Sequence, residues 1–172
     1  DYLLHNFITE LRVKEDFELV IIGDHGMSDV TASVDFKSEV KKEAKFLGLT
    51  NRNEVTIFCD STVGRVWVEE DSKRVALHDR LRKNGNLKSF GTVFESNDYK
   101  KFSVPKNFKR HGQILWFANN GVVISPDYFY GEFPPKGMHG YLPVLEDNFG
   151  VAIFSVSGVK PKKILRAKLS EV

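Results

Sequence analysis

The stretch that most limits how this chain can fold is Leu19-Val20-Ile21-Ile22, four apolar residues that stop at Gly23 and meet Asp24-His25-Gly26-Met27-Ser28-Asp29 at once. An unbroken apolar run of this length predicts a strand buried on both faces of a parallel sheet. In an open α/β sheet, the loop past the carboxyl end of such a strand is where chemistry is usually placed. Asp24 offers a hard oxygen donor and His25 a borderline nitrogen, a pair that suits zinc. Gly26 lets backbone approach a metal or phosphate without a Cβ in the way. The tripeptide equally fits a strand that ends in a polar turn, with Asp24 capping the next element.

The 172 residues suffice for one domain, or for part of a larger one, with a proper core. A hydrophobic content of 41% against 28% charged residues argues against disorder. A net charge of +2 is too small to imply a nucleic-acid or membrane partner. No apolar run approaches the roughly 20 residues of a membrane span, so no membrane contact is expected from this segment. Cys59, the single cysteine, excludes an internal disulfide framework and a thiolate zinc cluster. The opening Asp1-Tyr2-Leu3-Leu4-His5 is read as neither a signal peptide nor a natural start.

Along the chain, Leu4, Phe7, Ile8 and Leu11 keep helical spacing over residues 2 to 12. After the polar turn Lys14-Glu15-Asp16 comes the strand from Phe17 to Ile22. Asp35 is placed to cap a helix over residues 36 to 47 that Gly48 ends, with Lys37, Lys41, Lys42 and Lys45 on a solvated face. Two strands are expected at Val55 to Cys59 and Arg65 to Glu69. A helix from Lys73 to Lys83, broken by Asn84-Gly85-Asn86, and a strand from Phe90 to Glu95 come next. This part reads as a small α+β insertion over about residues 50 to 112, in which Cys59 packs as a small hydrophobe. Tyr99, Lys100, Lys101, Phe102, Lys106, Phe108, Lys109, Arg110 and His111 interleave bases with aromatics. They read as an amphipathic surface helix with inward aromatics rather than a base-stacking platform. Gln113 to Ala118 is another buried strand, and Asn119-Asn120-Gly121 predicts a hairpin return through Val122-Val123-Ile124. An irregular loop over residues 125 to 138, rich in Pro and aromatics, ends in Gly137-Met138-His139-Gly140-Tyr141. The last expected strand is Gly150 to Val156, closed by Gly158.

Ile21-Ile22-Gly23-Asp24-His25-Gly26-Met27-Ser28-Asp29 and Lys136-Gly137-Met138-His139-Gly140-Tyr141, with the strand and glycine after them, resemble one specific arrangement. The chain resembles the second half of the catalytic domain of nucleotide pyrophosphatase/phosphodiesterases, in the alkaline phosphatase superfamily. Pro105 to Gly121 and the ending Leu169-Ser170-Glu171-Val172 match more loosely. Phe149, where the family often has Met, departs from the pattern in a packing position. The Asp-His-Gly-Met element is shared across the superfamily, and the His-Gly-Tyr element favours the phosphodiesterase branch.

The resemblance implies an α/β fold with a mostly parallel central sheet flanked by helices, of which residues 1–172 are the C-terminal portion. It implies two zinc ions, or other divalent cations, with Asp24 and His25 on the ion that activates the nucleophile and His139 on the second. The reaction implied is hydrolysis of phosphodiester or pyrophosphate bonds in nucleotides or their derivatives, through a covalent Thr or Ser intermediate. That nucleophile, a third aspartate and an Asp/His pair lie upstream in the family, and Thr9, mid-helix, does not supply the first. The segment alone is expected to be inactive, its partners being the N-terminal half of the domain and a small phosphodiester or nucleotide substrate. No stable nucleic-acid complex is expected, and the location implied is extracytoplasmic. Competing readings are a phosphomonoesterase or phosphotransferase of the same superfamily, and a binding module that keeps the fold without catalysis and uses residues 99 to 111 and 125 to 138.

Overall fold

The computed structural model describes residues 2–12, 18–105, 108–130 and 133–155. The expected turn at Lys14-Glu15-Asp16, the terminator Gly158 and the closing residues 169–172 lie outside them. The chain divides into two compact units, residues 1–24 with 150–172, and residues 25–149. No helix among the described residues is long and apolar enough to cross a membrane.

The first unit holds helix α1 (Tyr2–Arg12) and strands β1 (Leu19–Gly23) and β10 (Val151–Ser155). The two strands pair antiparallel, Ile21 opposite Ile153 and Gly23 opposite Val151. This corrects the expectation of a parallel strand buried on both faces. Two strands alone cannot enclose either face of their ribbon, and Val20 and Ile22 on one strand, with Val151, Ile153 and Phe154 on the other, remain exposed. Gly150 is required here by close approach, since a Cβ on it would sit 2.2 Å from the Gly23 carbonyl oxygen.

The second unit runs in order through β2 (Ser28–Asp29), β3 (Ala32–Val34), α2 (Phe36–Lys45), β4 (Val55–Asp60) and β5 (Val63–Val68). It continues with α3 (Asp71–Lys83), α4 (Gly85–Phe90), β6 (Gly91–Val93), α5 (Ser96–Lys101), α6 (Phe108–His111), β7 (Ile114–Ala118) and β8 (Val122–Ile124). Strand β9 (Gly137–Met138) and a 3-10 turn (Glu146–Asn148) complete it. Four strands form an antiparallel sheet in the order β4-β5-β7-β6. The α/β class holds, but the pairings among the described residues are mixed rather than mostly parallel, and the parallel one joins β3 to β8.

That pairing corrects the expected hairpin at Asn119-Asn120-Gly121. Both edges of β7 are already taken, by β5 and by β6, so β8 has no edge of β7 to return along. The chain turns at Gly121, whose φ is +75°, and β8 runs beside β3 instead.

Local rules place the helices well. The Asp35 carboxylate accepts hydrogen bonds from the Ser38 N–H at 2.9 Å and its hydroxyl at 2.6 Å, closing the start of α2. Gly48, at φ +71°, follows its end. Lys37, Lys41, Lys42 and Lys45 are exposed as expected. Asn84-Gly85-Asn86 does end α3, yet it also starts α4, because the Asn84 side-chain oxygen accepts the Leu87 N–H at 3.0 Å. The Asn84 amide donates to Glu39 and to Glu43 of α2 at 2.8 and 3.0 Å. Arg80 of α3 donates its Nε–H to the same buried Glu43 at 2.8 Å and forms an ion pair with it, so one polar cluster ties three helices together.

The core centres on Trp116 and Phe36, both fully buried, with ring centroids 5.3 Å apart. Trp116 keeps its indole N–H satisfied by donating to the Leu87 carbonyl at 3.0 Å. Cys59 is buried as a small hydrophobe, and burial pushes its thiol up to about 11. In the basic, aromatic stretch, Tyr99 and Phe102 turn inward onto Phe94. A Cβ at Gly64 would lie 2.4 Å from the Phe36 ring, so that ring lies directly on bare backbone. Gly64→Ala is expected to destabilise the fold by ~1–3 kcal/mol through overpacking, read as a lower urea midpoint. An unchanged midpoint would show that Phe36 is not held there.

Candidate functional site

Two residues of ladder build the site. Ser28 pairs with Met138 and Asp29 with Gly137, antiparallel, and the Val30 N–H extends the ladder by donating to the Lys136 carbonyl at 2.8 Å. Continuing that register in the other direction sets Met27 opposite His139, so both glycine-flanked histidines leave the ladder at the same end. Their rings stack, with centroids 3.7 Å apart and planes 16° from parallel. Asp24, exposed, directly follows β1 in the first unit and precedes His25 in sequence.

The chemistry of the pair follows from the direction of imidazole lone pairs, which lie in the ring plane. His25 Nδ1 lies 2.8 Å from the Gly26 carbonyl oxygen. A carbonyl only accepts, so this contact puts the proton on Nδ1 and the lone pair on Nε2, the tautomer of a metal-ligating histidine with a backbone partner. A single ion bound at about 2.0–2.1 Å could not lie in the planes of two stacked, nearly parallel rings. Two ions, one per ring, could, and ions in two-metal sites sit about 3.5–4 Å apart. The donor chemistry therefore fits a pair of cations better than one. Among the described residues no group of three or more His, Cys, Asp or Glu side chains is arranged to hold an ion.

Several residues that hold this site carry no sequence signal. Asp147 Oδ2 accepts from the Ser28 hydroxyl at 3.1 Å and from the Asn120 amide at 2.8 Å, joining β2 to the turn after β7. These two bonds, that to Asn120 first, hold the Asp147 carboxyl below its ordinary value. The Thr62 hydroxyl, in the β4–β5 turn, donates to the Gly140 carbonyl at 2.8 Å, beside His139. Gly121 contributes its carbonyl to the N–H groups of Thr31 and Ala32 at 2.8 and 3.2 Å. Glu146-Asp147-Asn148 reads from sequence as ordinary turn chemistry, and nothing in it points to Ser28.

No protein-family model matches the chain, and no curated protein matches it. Solved structures do. Murine ectonucleotide pyrophosphatase/phosphodiesterase 5 is similar with a TM-score of 0.59 at 16% identity, over 88% of this chain and 37% of that one. An inactive variant of the murine protein in complex with AMP is similar with a TM-score of 0.57 at 17% identity, over the same 88% and 37%. Phosphonoacetate hydrolase from Sinorhizobium meliloti, in complex with phosphonoformate, gives 0.55 at 13% identity, over 87% and 38%. At such identities the likeness shows the fold, an α/β fold of the alkaline phosphatase-like kind. The chain spans little more than a third of the length of these neighbours.

Gly26 tests the geometry directly, since a Cβ there would lie 2.1 Å from the Asp147 carbonyl oxygen and 3.2 Å from that of Phe149. Both neighbours are backbone and cannot swing away. Gly26→Ala is expected to lower stability by ~1–3 kcal/mol, seen as a fall in Tm, and an unchanged Tm would show the turn to be loose. Asp147 adds a pH dependence of known sign. A carboxyl held below its unfolded value of 3.8 stabilises the fold above that pH and loses the contribution as pH falls through its lower folded value. The protection of the Val30 amide, its exchange rate relative to that of an unstructured amide at the same pH, should therefore fall on acidification, and Asp147→Asn should flatten that profile.

Proposed function

We propose that this chain is part of a metal-dependent hydrolase that cleaves phosphodiester or pyrophosphate bonds in nucleotides or nucleotide derivatives. The observation that carries the reading is the stacked pair His25 and His139, each able to serve one of two cations. Asp24, next to His25 in sequence, would join it on the first zinc and His139 would hold the second. When bound, two such ions lower the pKa of a hydroxyl nucleophile and polarise the phosphoryl oxygen. The contribution of this chain is to orient its imidazoles, His25 through the Gly26 carbonyl and both through the ladder beside which they stand. The Thr or Ser nucleophile belongs to a part of the domain outside these residues. Overall one water is consumed: its oxygen ends on phosphorus, and the departing oxygen takes a proton.

The apolar faces of the β1–β10 ribbon support the same reading. Val20, Ile22, Val151 and Ile153 are surfaces that a further layer would cover, and the neighbours are more than twice the length of this chain. The remaining half of such a domain is the partner proposed here, and the chain alone is expected to be inactive. The likeness to phosphonoacetate hydrolase keeps a second reading, a monoesterase or related phosphorus hydrolase, within the same superfamily.

The test is metal content and turnover of the full protein. About two zinc ions per protein are expected, and His139→Ala should lose one of them together with activity. Full metal content and turnover in that variant would remove His139 from the ligand set. Hydrolysis of a nitrophenyl nucleotide diester faster than nitrophenyl phosphate favours the diesterase, and the reverse order favours the monoesterase.

A further inference from the structure

Ser61 and Thr62, the two residues between β4 and β5, bond to four other parts of the second unit. The Ser61 carbonyl accepts the Ile124 N–H at 2.7 Å and the Thr62 carbonyl accepts the Ala118 N–H at 2.9 Å, so the ends of β8 and β7 are both pinned to this turn. Asp127, just past β8, is the third partner. Its Oδ2 accepts the Ser61 N–H and hydroxyl at 2.9 and 3.1 Å, while its Oδ1 accepts the N–H groups of Phe129 and Tyr130 at 2.8 and 2.6 Å. The fourth is Gly140, whose carbonyl accepts the Thr62 hydroxyl at 2.8 Å. Ser61 sits at φ +46°, a left-handed conformation that persists in a residue with a Cβ only where the surroundings over-determine it.

His139 depends on this turn because packing does not hold it. His139 and Gly140 are exposed, whereas Met138 before them and Tyr141 after them are buried. On one side the chain is fixed by the pairing of Met138 with Ser28. On the other, Gly140 stands at φ +85° with its carbonyl turned to Thr62. Thr62 is 3% exposed, so its hydroxyl has little access to water and stays on that carbonyl. The histidine is thus clamped one residue away on each side, and its ring lies 3.7 Å from that of His25. A ligand must be held to within about half an ångström of its working geometry, which an exposed ring anchored from one side only would not be.

We infer that Thr62 is a positioning residue for His139. Its hydroxyl, through the Gly140 carbonyl, fixes the direction in which the imidazole leaves the chain, and so sets the affinity for the second of two cations. Asp127 acts one step further back, by holding Ser61. The metal part of the inference rests on the reading of His139 as a ligand, and the placement of the ring does not.

The experiment compares Thr62→Val, which keeps the shape of the side chain and removes the donor, with Thr62→Ser, which keeps the donor. The first readout is NMR of the metal-free full protein with labelled histidine, its signals assigned by His25→Ala and His139→Ala. Each stacked ring shifts the carbon-bound protons of the other, so Thr62→Val should move both signals toward those of unstacked imidazole, and Thr62→Ser should leave them in place. Asp127→Ala should move them the same way by a smaller amount. The second readout is zinc affinity, by competition with a chromophoric chelator. Thr62→Val should weaken the second zinc about tenfold or more, the usual loss when a group supporting a ligand is removed, with the first zinc unchanged and Thr62→Ser like the wild type. Leu77→Ala, in the buried core on α3, controls for a general loss of stability and should move neither readout. Ring signals unmoved in Thr62→Val, or in Asp127→Ala should Thr62→Val not fold, would overturn the inference. So would two zinc ions held at unchanged affinity in Thr62→Val, or an equal loss in Thr62→Ser or Leu77→Ala. Ring signals that move as expected in a protein that never binds two zinc ions would instead count against the hydrolase reading, and leave Thr62 as the residue that places the ring.

Discussion

The site rests on a ladder of two residue pairs. Ser28 and Asp29 lie against Met138 and Gly137, and without that contact two loops far apart in sequence would have no reason to meet. So short a ladder is weak by itself, because a pair of strands needs further layers for stability. It persists here because the surroundings hold it from three sides. The Asp147 carboxylate ties Ser28 to Asn120, Gly121 receives the next backbone donors at Thr31 and Ala32, and Gly26 lies tight against the 3-10 turn.

A second constraint lies deeper. Strand β7 is paired along both edges, and Trp116 within it packs on Phe36 of α2 while its indole reaches α4. That central strand fixes where the turn at residues 119–121 emerges. The turn in turn fixes β2 and the course of β8 toward the aromatic loop. Packing in the sheet is thus connected to the histidine pair by the Gly121 backbone hydrogen bonds and by the side chains of Asp147 and Thr62.

Glycines at close approaches recur for a common reason. At Gly26, Gly64 and Gly91 the space a Cβ would need is filled by backbone or a core ring. Such positions look in sequence like flexibility, whereas in the fold they are points of tight contact. The ribbon β1–β10 shows the opposite: residues whose pattern reads as core stand exposed.

Much of the local structure was legible in the residues themselves. The helix capped by Asp35 and ended near Gly48, the strands at 55–60 and 114–118, and the buried role of Cys59 come from propensity, capping and periodicity, which act over a few neighbours. The motif histidines were legible as chemistry, since glycine-flanked imidazoles beside apolar strands are rare enough to notice. Pairing partners were not. The run Leu19 to Ile22 is compatible with a buried parallel strand or an antiparallel ribbon, and Asn-Asn-Gly with a hairpin or a strand that leaves for β3, because only the occupancy of neighbouring edges decides. The sequence by itself marked His25 and His139 as candidates for chemistry. The tertiary structure decided that His25 and His139 stack ring on ring, and that Asp127 and Thr62 act on one turn, since those contacts join residues that no local rule relates.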